Sequence, residues 1–252
     1  MTEALYIVTG ASRGMGEAMA RQLLKPGHLV LGISRQVNAG LTELAQGSGA
    51  QLMQWPQDLA LTLGAAQRLE SWLASLPANR FASASLINNA GVVSDPSPLG
   101  QAQAEDLSNA LRVGLESCLL LTSAFLRGTR GWSAQRKVLN ISSGLGRRGM
   151  AGSAAYCAVK AGMDNFSRAV ALEEAQQSGG ARIVSLAPGV IDTDMQAQLR
   201  DADPVKFPQG ALFRELKSAG RLSTPDEAAA SVLAYLAKND FGSNPVDDVR
   251  EA

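Results

Sequence analysis

Two rhythms of apolar residues alternate along the chain. Short, nearly continuous apolar runs occupy Leu5–Val8, Leu29–Ile33, Gln51–Trp55, Ser85–Asn88, Lys137–Ile141 and Arg182–Leu186. Between them apolar positions recur at helical spacing, over Glu17–Leu24, Gly64–Leu76, Glu105–Leu126, Ala155–Glu174 and Pro225–Ala237. The first rhythm predicts buried strands and the second predicts helices. Their alternation implies crossover units, and hence a mainly parallel, doubly wound α/β sheet with helices on both faces. No composition break marks a linker and no repeat has a fixed period, so residues 1–252 are expected to form one domain.

Two segments interrupt the alternation. "GVVSDPSPLGQ" (91–101) follows the fourth run, and a proline-bearing stretch (192–227) follows the sixth. Both leave from the carboxyl edge of the sheet, where open α/β sheets bind ligands. The second is long for a mere connection, so its portion about 192–222 is expected to act as a substrate wall and mobile lid. After the last helix only a short strand candidate remains, around Val246–Val249.

Composition narrows the function classes. Lysine plus arginine equals aspartate plus glutamate, 23 each, so no overall field favours nucleic acid or an anionic membrane. No apolar run is read as long enough for a membrane span, and Met1 leads directly into a strand. Cys118 and Cys157 lie in apolar segments without a CxxC motif, and read as reduced core residues of a cytoplasmic protein. The single histidine, His28, precedes a strand, and so few soft ligands make a zinc site improbable.

The first strand runs into "TGASRGMG" and then a helix. Gly10 permits a sharp turn, Gly14 lets backbone amides approach a pyrophosphate, and Gly16 lets the helix pack close to the strand. The Gly-x3-Gly-x-Gly spacing differs from the commonest dinucleotide fingerprint, but its place between strand and helix points to a bound dinucleotide. The second strand ends in "LVLGISRQ", with Ser34 and Arg35 and no carboxylate for an NAD ribose. Together with Arg13 in the turn, this favours NADPH over NADH.

"NISSGLGRRGMAGSAAYCAVKAG" (140–162) follows the fifth strand. Tyr156 and Lys160 are four residues apart and share a helix face. A phenol titrates near about 10 in water. A nearby ammonium favours its charged form, which makes proton exchange with a carbonyl oxygen feasible at neutral pH. Ser143, thirteen residues before Tyr156, is placed to donate to the same oxygen. Met150 is expected in the pocket wall, while Arg147 and Arg148 read either as an electropositive entrance or as a solvated loop.

These markers together resemble the short-chain dehydrogenase/reductase family almost end to end, and the wording of "INNAGVV", "LNISSG", "AAYCAVKAG" and "APGVIDTDMQAQLR" is similar to its sepiapterin and bacterial benzil reductase branch. The resemblance implies a Rossmann-type fold and reduction by NADPH of a small ketone or vicinal diketone. It makes Tyr156 the general acid, Ser143 the residue that orients the carbonyl, and Lys160 the nicotinamide-ribose ligand. It puts Gly10, Ser12, Arg13, Gly14, Met15 and Gly16 on the cofactor phosphates. Asp58 and Leu59 then approach the adenine, Asn88 stabilises the sheet, and Asn89, Ala90 and Gly91 border the cofactor. Pro188, Gly189, Ile191 and Thr193 hold the nicotinamide end, Thr193 near its carboxamide.

One departure stands out. The family completes its proton relay with an asparagine, and aligning "RVGLESCLLLT" puts Gly114 there, with Asn109 five residues upstream expected not to replace it. The long helical segments imply a homodimer. A 3-oxoacyl or general ketone reductase, and a non-catalytic NADPH-binding regulator, remain alternative readings.

Overall fold

All six apolar runs form strands, and so does the weak seventh. The computed structural model, which describes residues 3–251, contains β1 (Glu3–Thr9), β2 (His28–Ser34), β3 (Gln51–Pro56), β4 (Phe81–Asn88), β5 (Gln135–Ile141), β6 (Arg182–Ala187) and β7 (Val246–Asp248). Every neighbouring pair is parallel, in the order β3-β2-β1-β4-β5-β6-β7. The direction of winding reverses between β1 and β4, so the carboxyl ends of these strands open the crevice where doubly wound sheets hold ligands.

The helices are α1 (Gly14–Leu23), α2 (Ala39–Ser48), α3 (Thr62–Ala74), α4 (Ala104–Leu111), α5 (Ser117–Gly128), α6 (Ala154–Ala175), α7 (Asp194–Asp201), α8 (Gly210–Ser218) and α9 (Pro225–Ala237). One face of the sheet sets Ile7, Leu31 and Leu86 against Leu69 and Leu73 of α3 and Phe125 of α5. The other sets Val8, Val30 and Ile87 against Met19 of α1 and Val232 of α9. Neighbouring strand residues point to opposite faces, and because both faces are covered the strands read as continuous apolar runs. Two side chains meet the last carbonyls of helices at the amino edge of the sheet. His28 places Nδ1 2.8 Å from the Leu23 carbonyl at the end of α1, and Lys137 donates to the Leu236 carbonyl of α9 at 2.7 Å.

Four expectations change. The helix expected over Glu105–Leu126 is three pieces, α4, a π turn over Arg112–Glu116, and α5. This 25-residue helical run is long and apolar enough for a membrane span by length and composition, correcting the expectation that no segment is. Its apolar side instead covers the sheet through Leu121, Ala124 and Phe125. Helix α2 was not anticipated, because it buries only Leu41; the Asn38 side chain caps it by accepting from the Leu41 amide at 3.1 Å. Segment 192–222 is more regular than its prolines suggested: Pro204 and Pro208 fall between α7 and α8. Those helices enclose a small core of their own, Leu199, Phe207 and Phe213, joined by Met150 and Leu216.

Helix α9 starts as its residues dictate. The Thr224 hydroxyl accepts from the Glu227 amide at 3.2 Å, the Glu227 carboxylate accepts from the Thr224 amide at 2.8 Å, and Pro225 opens the first turn.

Candidate active site

The carboxyl end of β1 is tied to that of β4 by one hydroxyl. Thr9 Oγ1 accepts from the amides of Asn89 and Ala90, both at 2.9 Å, while Asn89 Nδ2 returns a bond to the Thr9 carbonyl at 3.0 Å. The glycine turn lies against this knot. A Cβ on Gly16 would stand 2.1 Å from the Gly10 carbonyl oxygen and 2.5 Å from Asn89 Nδ2, so no other residue fits there. Arg13 occupies the N-cap of α1 without a side-chain cap bond, which leaves the first-turn amides of that helix for an anion.

From this turn a cavity of about 840 Å³ extends in two directions. Toward β2 it reaches Ser34, Arg35 and Asp58. Toward β5 and β6 it reaches Ser143, Tyr156 and Lys160, and beyond them Leu199, Leu212 and Phe213 of the α7–α8 segment. Tyr156 and Lys160 lie one turn apart on α6, with Lys160 Nζ 5.5 Å from the Tyr156 ring centre. Lys160 is buried and donates to the Ile141 carbonyl at 2.6 Å. Burial draws its pKa down to about 8, against the attraction of Cys118 and Asp164. Ser143 stands two residues past the end of β5, and its hydroxyl accepts from the Leu145 amide at 3.2 Å.

Tyr156 departs from expectation. Burial raises its pKa, the Ser143 side chain pulls it back in part, and Cys157 raises it further. The ammonium of Lys160, turned to the Ile141 carbonyl, does not bring the phenol below its ordinary value. A raised pKa keeps the phenol protonated at neutral pH, which suits a proton donor better than a base.

The short chain dehydrogenase family model matches residues 4–204. This chain belongs to the short-chain dehydrogenase family. It is 35% identical over 245 residues to the benzil reductase ((S)-benzoin forming) of Bacillus cereus, covering 97% of this chain and 98% of that protein. It is 34% identical over 256 residues to the sepiapterin reductase of Mus musculus, covering 95% and 94%. Among solved structures, a 3-oxoacyl-[acyl-carrier protein] reductase from Brucella melitensis in complex with NAD shares the fold with a TM-score of 0.81 at 21% identity, covering 99% and 96%.

In this short-chain dehydrogenase every residue anticipated for cofactor or chemistry borders the one cavity, from Gly10, Ser12, Gly14, Met15 and Gly16 through Leu59, Asn89, Ala90 and Gly91 to Pro188, Gly189, Ile191 and Thr193. Thr193 is the N-cap of α7 but makes no cap bond, so its hydroxyl is free for a ligand. Arg13 and Arg35 both border the cavity, and the Arg13 guanidinium also bonds Asp194 at 2.8 Å, across to the start of α7. Asp58 is exposed and uses one oxygen to accept from the Ala60 amide at 2.9 Å. Cys157 is half-buried and belongs to neither main core, whereas Cys118 is buried, donates to Asn140 Oδ1 at 3.3 Å and has its thiol pushed up to about 12. Gly114 lies in the π turn, buried against Val159, while Asn109 reaches the cavity rim.

Several residues escaped the sequence reading. Asn140 is fully buried, accepts from Asn88 Nδ2 at 2.9 Å and donates to Ser167 Oγ at 2.9 Å, joining β4, β5 and α6 beneath the site. An amide inside the apolar run "KVLNI" is the signal that could have disclosed it, because a buried amide needs partners. Gln196 and Arg200 of α7 also line the cavity, and Arg200 pairs with Asp192 at 3.4 Å.

Proposed function

We propose that this chain is an NADPH-dependent carbonyl reductase that reduces a vicinal diketone or related aromatic ketone, with Tyr156 as proton donor. The observation that carries the reading is the convergence of Ser143, Tyr156 and Lys160 on one wall of a cavity that continues into the glycine turn. The residues present suit a dinucleotide. The uncapped first turn of α1 is open to a pyrophosphate, Thr193 keeps a free hydroxyl for the carboxamide, and Arg35 at the end of β2 has no acid beside it in the chain to repel a 2′-phosphate. When bound, the nicotinamide supplies the hydride.

The chain supplies position and a proton. Ser143 donates a hydrogen bond to the substrate oxygen and fixes the carbonyl. The half-buried Tyr156 hydroxyl, its pKa raised by desolvation, stays protonated at neutral pH and hands its proton to that oxygen as negative charge develops. Lys160, charged below about pH 8, lies beneath the phenol and attracts the phenolate left behind. Leu199, Leu212 and Phe213 give the far wall an apolar surface suited to an aromatic substituent, and the α7–α8 segment carrying them is read as a lid. The likeness to benzil and sepiapterin reductases supports the diketone assignment. We read Leu119 of α5 and Leu172 of α6, both exposed, as part of a homodimer face, and a reducing cytoplasm suits the two free thiols.

The test is NADPH oxidation over benzil, a sepiapterin-like diketone, an acetoacetyl thioester and a simple aromatic ketone. Turnover should concentrate on the diketones, and Tyr156→Phe should lower it by about 10²-fold or more while cofactor binding is retained. Undiminished turnover in Tyr156→Phe overturns the mechanism.

A further inference from the structure

The loop between Ser143 and Tyr156 is fastened at a point that none of the chemistry above requires. Immediately after Ser143 the chain makes a 3₁₀ turn, Gly144–Gly146, and the next residue is Arg147. Its guanidinium donates to the Asp247 carbonyl of β7 at 2.7 Å and faces the Asp248 carboxylate at 4.0 Å. On its other side Nε stands 3.5 Å from Asp164 Oδ2.

Asp164 is the hub of this arrangement. It is 2% exposed, one turn beyond Lys160 on α6. Its Oδ1 accepts from Ser142, the residue before Ser143, at 2.6 Å and from Ser185 of β6 at 2.7 Å. Its Oδ2 has no hydrogen-bond partner, and among the described residues Arg147 is the only cation within ion-pair distance of it. Leaving that buried oxygen without its countercharge is costly, so the pair constrains both ends of the loop that holds Ser143. Gly146 confirms how tightly the turn is seated: a Cβ there would lie 2.7 Å from Asp164 Oδ2 and 2.9 Å from the Lys160 carbonyl oxygen. The acids on the far side are themselves anchored, because β7 runs beside β6 with Asp248 paired in register with Ala187, and Asp248 binds Arg250.

We infer that Arg147 is a positioning residue for Ser143, and that strand β7 thereby sets the geometry of carbonyl reduction. The inference rests on the reading of Ser143 given above. Arg147 does not line the cavity; it acts by holding the turn that presents the serine. Its effect therefore exists only while Ser143 is there to be positioned.

The experiment is a mutant cycle in the full chain, with benzil as substrate and NADPH saturating. Arg147→Ala should lower kcat about 10- to 100-fold, with the KM for benzil and the dissociation constant for NADPH each changed less than about twofold, and Arg147→Lys should recover part of the loss. On a Ser143→Ala background Arg147→Ala should cost less than about twofold more, because the contact it serves is already gone. A full multiplicative loss on that background, or an undiminished kcat in Arg147→Ala alone, overturns the inference while leaving the reductase reading intact. If Ser143→Ala itself turns over normally, the role assigned to Ser143 falls and this inference with it. Should Arg147→Ala fail to fold, the Arg147→Lys single and double variants are read by the same rule.

Discussion

Gly114 and Val159 press against each other where the π turn meets α6. A Cβ added to Gly114 would lie 2.6 Å from Val159 Cγ1 and 3.3 Å from Cγ2, whereas carbon atoms pack best at about 3.5–4.0 Å. Restoring the asparagine that the family resemblance leads one to expect at 114 therefore meets both methyl groups of Val159 head on. Overpacking of this kind costs about 1–3 kcal/mol, and an amide buried without partners adds about 1–3 kcal/mol. We expect Gly114→Asn to destabilise the fold by about 3 kcal/mol, which at this chain length lowers Tm by about 6–12 °C. Val159→Ala removes both offending atoms and by itself costs about 2 kcal/mol as a cavity. Because each substitution relieves the strain or void left by the other, the double variant should be no less stable than Gly114→Asn alone, a coupling of about 2 kcal/mol. Urea denaturation of the four proteins, compared at constant m, reads this directly. Additive losses in the double variant would refute the claim that the two positions are sized for one another.

Four further outcomes are expected. Arg35→Asp should weaken NADPH binding at least tenfold and shift preference toward NADH, by fluorescence titration; an unchanged ratio removes Arg35 from the cofactor assignment. Lys160, with its pKa lowered to about 8, is charged below that pH and neutral above it, so NADPH affinity should be flat to about pH 8 and then fall, with the slope absent in Lys160→Met. Between about 8 and its ordinary 10.5 the folded chain binds fewer protons here than the unfolded chain, so this residue makes stability rise with pH across that window, which denaturation at two pH values should show. Phe207→Ala should remove about 3–5 kcal/mol from the packing of α7 on α8 and raise the KM for benzil at least tenfold with little change in NADPH affinity; an unchanged KM separates that segment from substrate binding.

The sheet was legible because both its faces are buried. Leu5–Val8 and Arg182–Leu186 can be strands of no other kind once turn residues and helical rhythms bracket them. Helix α2 was not, since one buried leucine and a capping Asn38 leave almost no period to detect. The cavity residues were readable wherever a local motif carries them, as in the glycine turn or the Tyr156–Lys160 pair. Asn140, Asp164 and Arg147 were opaque for the opposite reason. Their partners lie 17 to 101 residues away in the chain, and no local spacing encodes a contact between β5, α6 and β7. The same holds for the tyrosine: its spacing from Lys160 suggested a lowered pKa, and burial, a tertiary property, reversed the sign.

The separate core of α7 and α8 has a consequence for how such a protein can diversify. Leu199, Phe207 and Phe213 pack on one another and on Met150, not on the residues that hold the sheet together. Free-energy changes at sites without shared partners add nearly independently, so a substitution on this wall costs its own local packing and does not couple to the residues of the two main cores. The surface facing the ligand can be redrawn, residue by residue, without renegotiating the fold that carries the proton donor. Selectivity can drift while the machinery stays still.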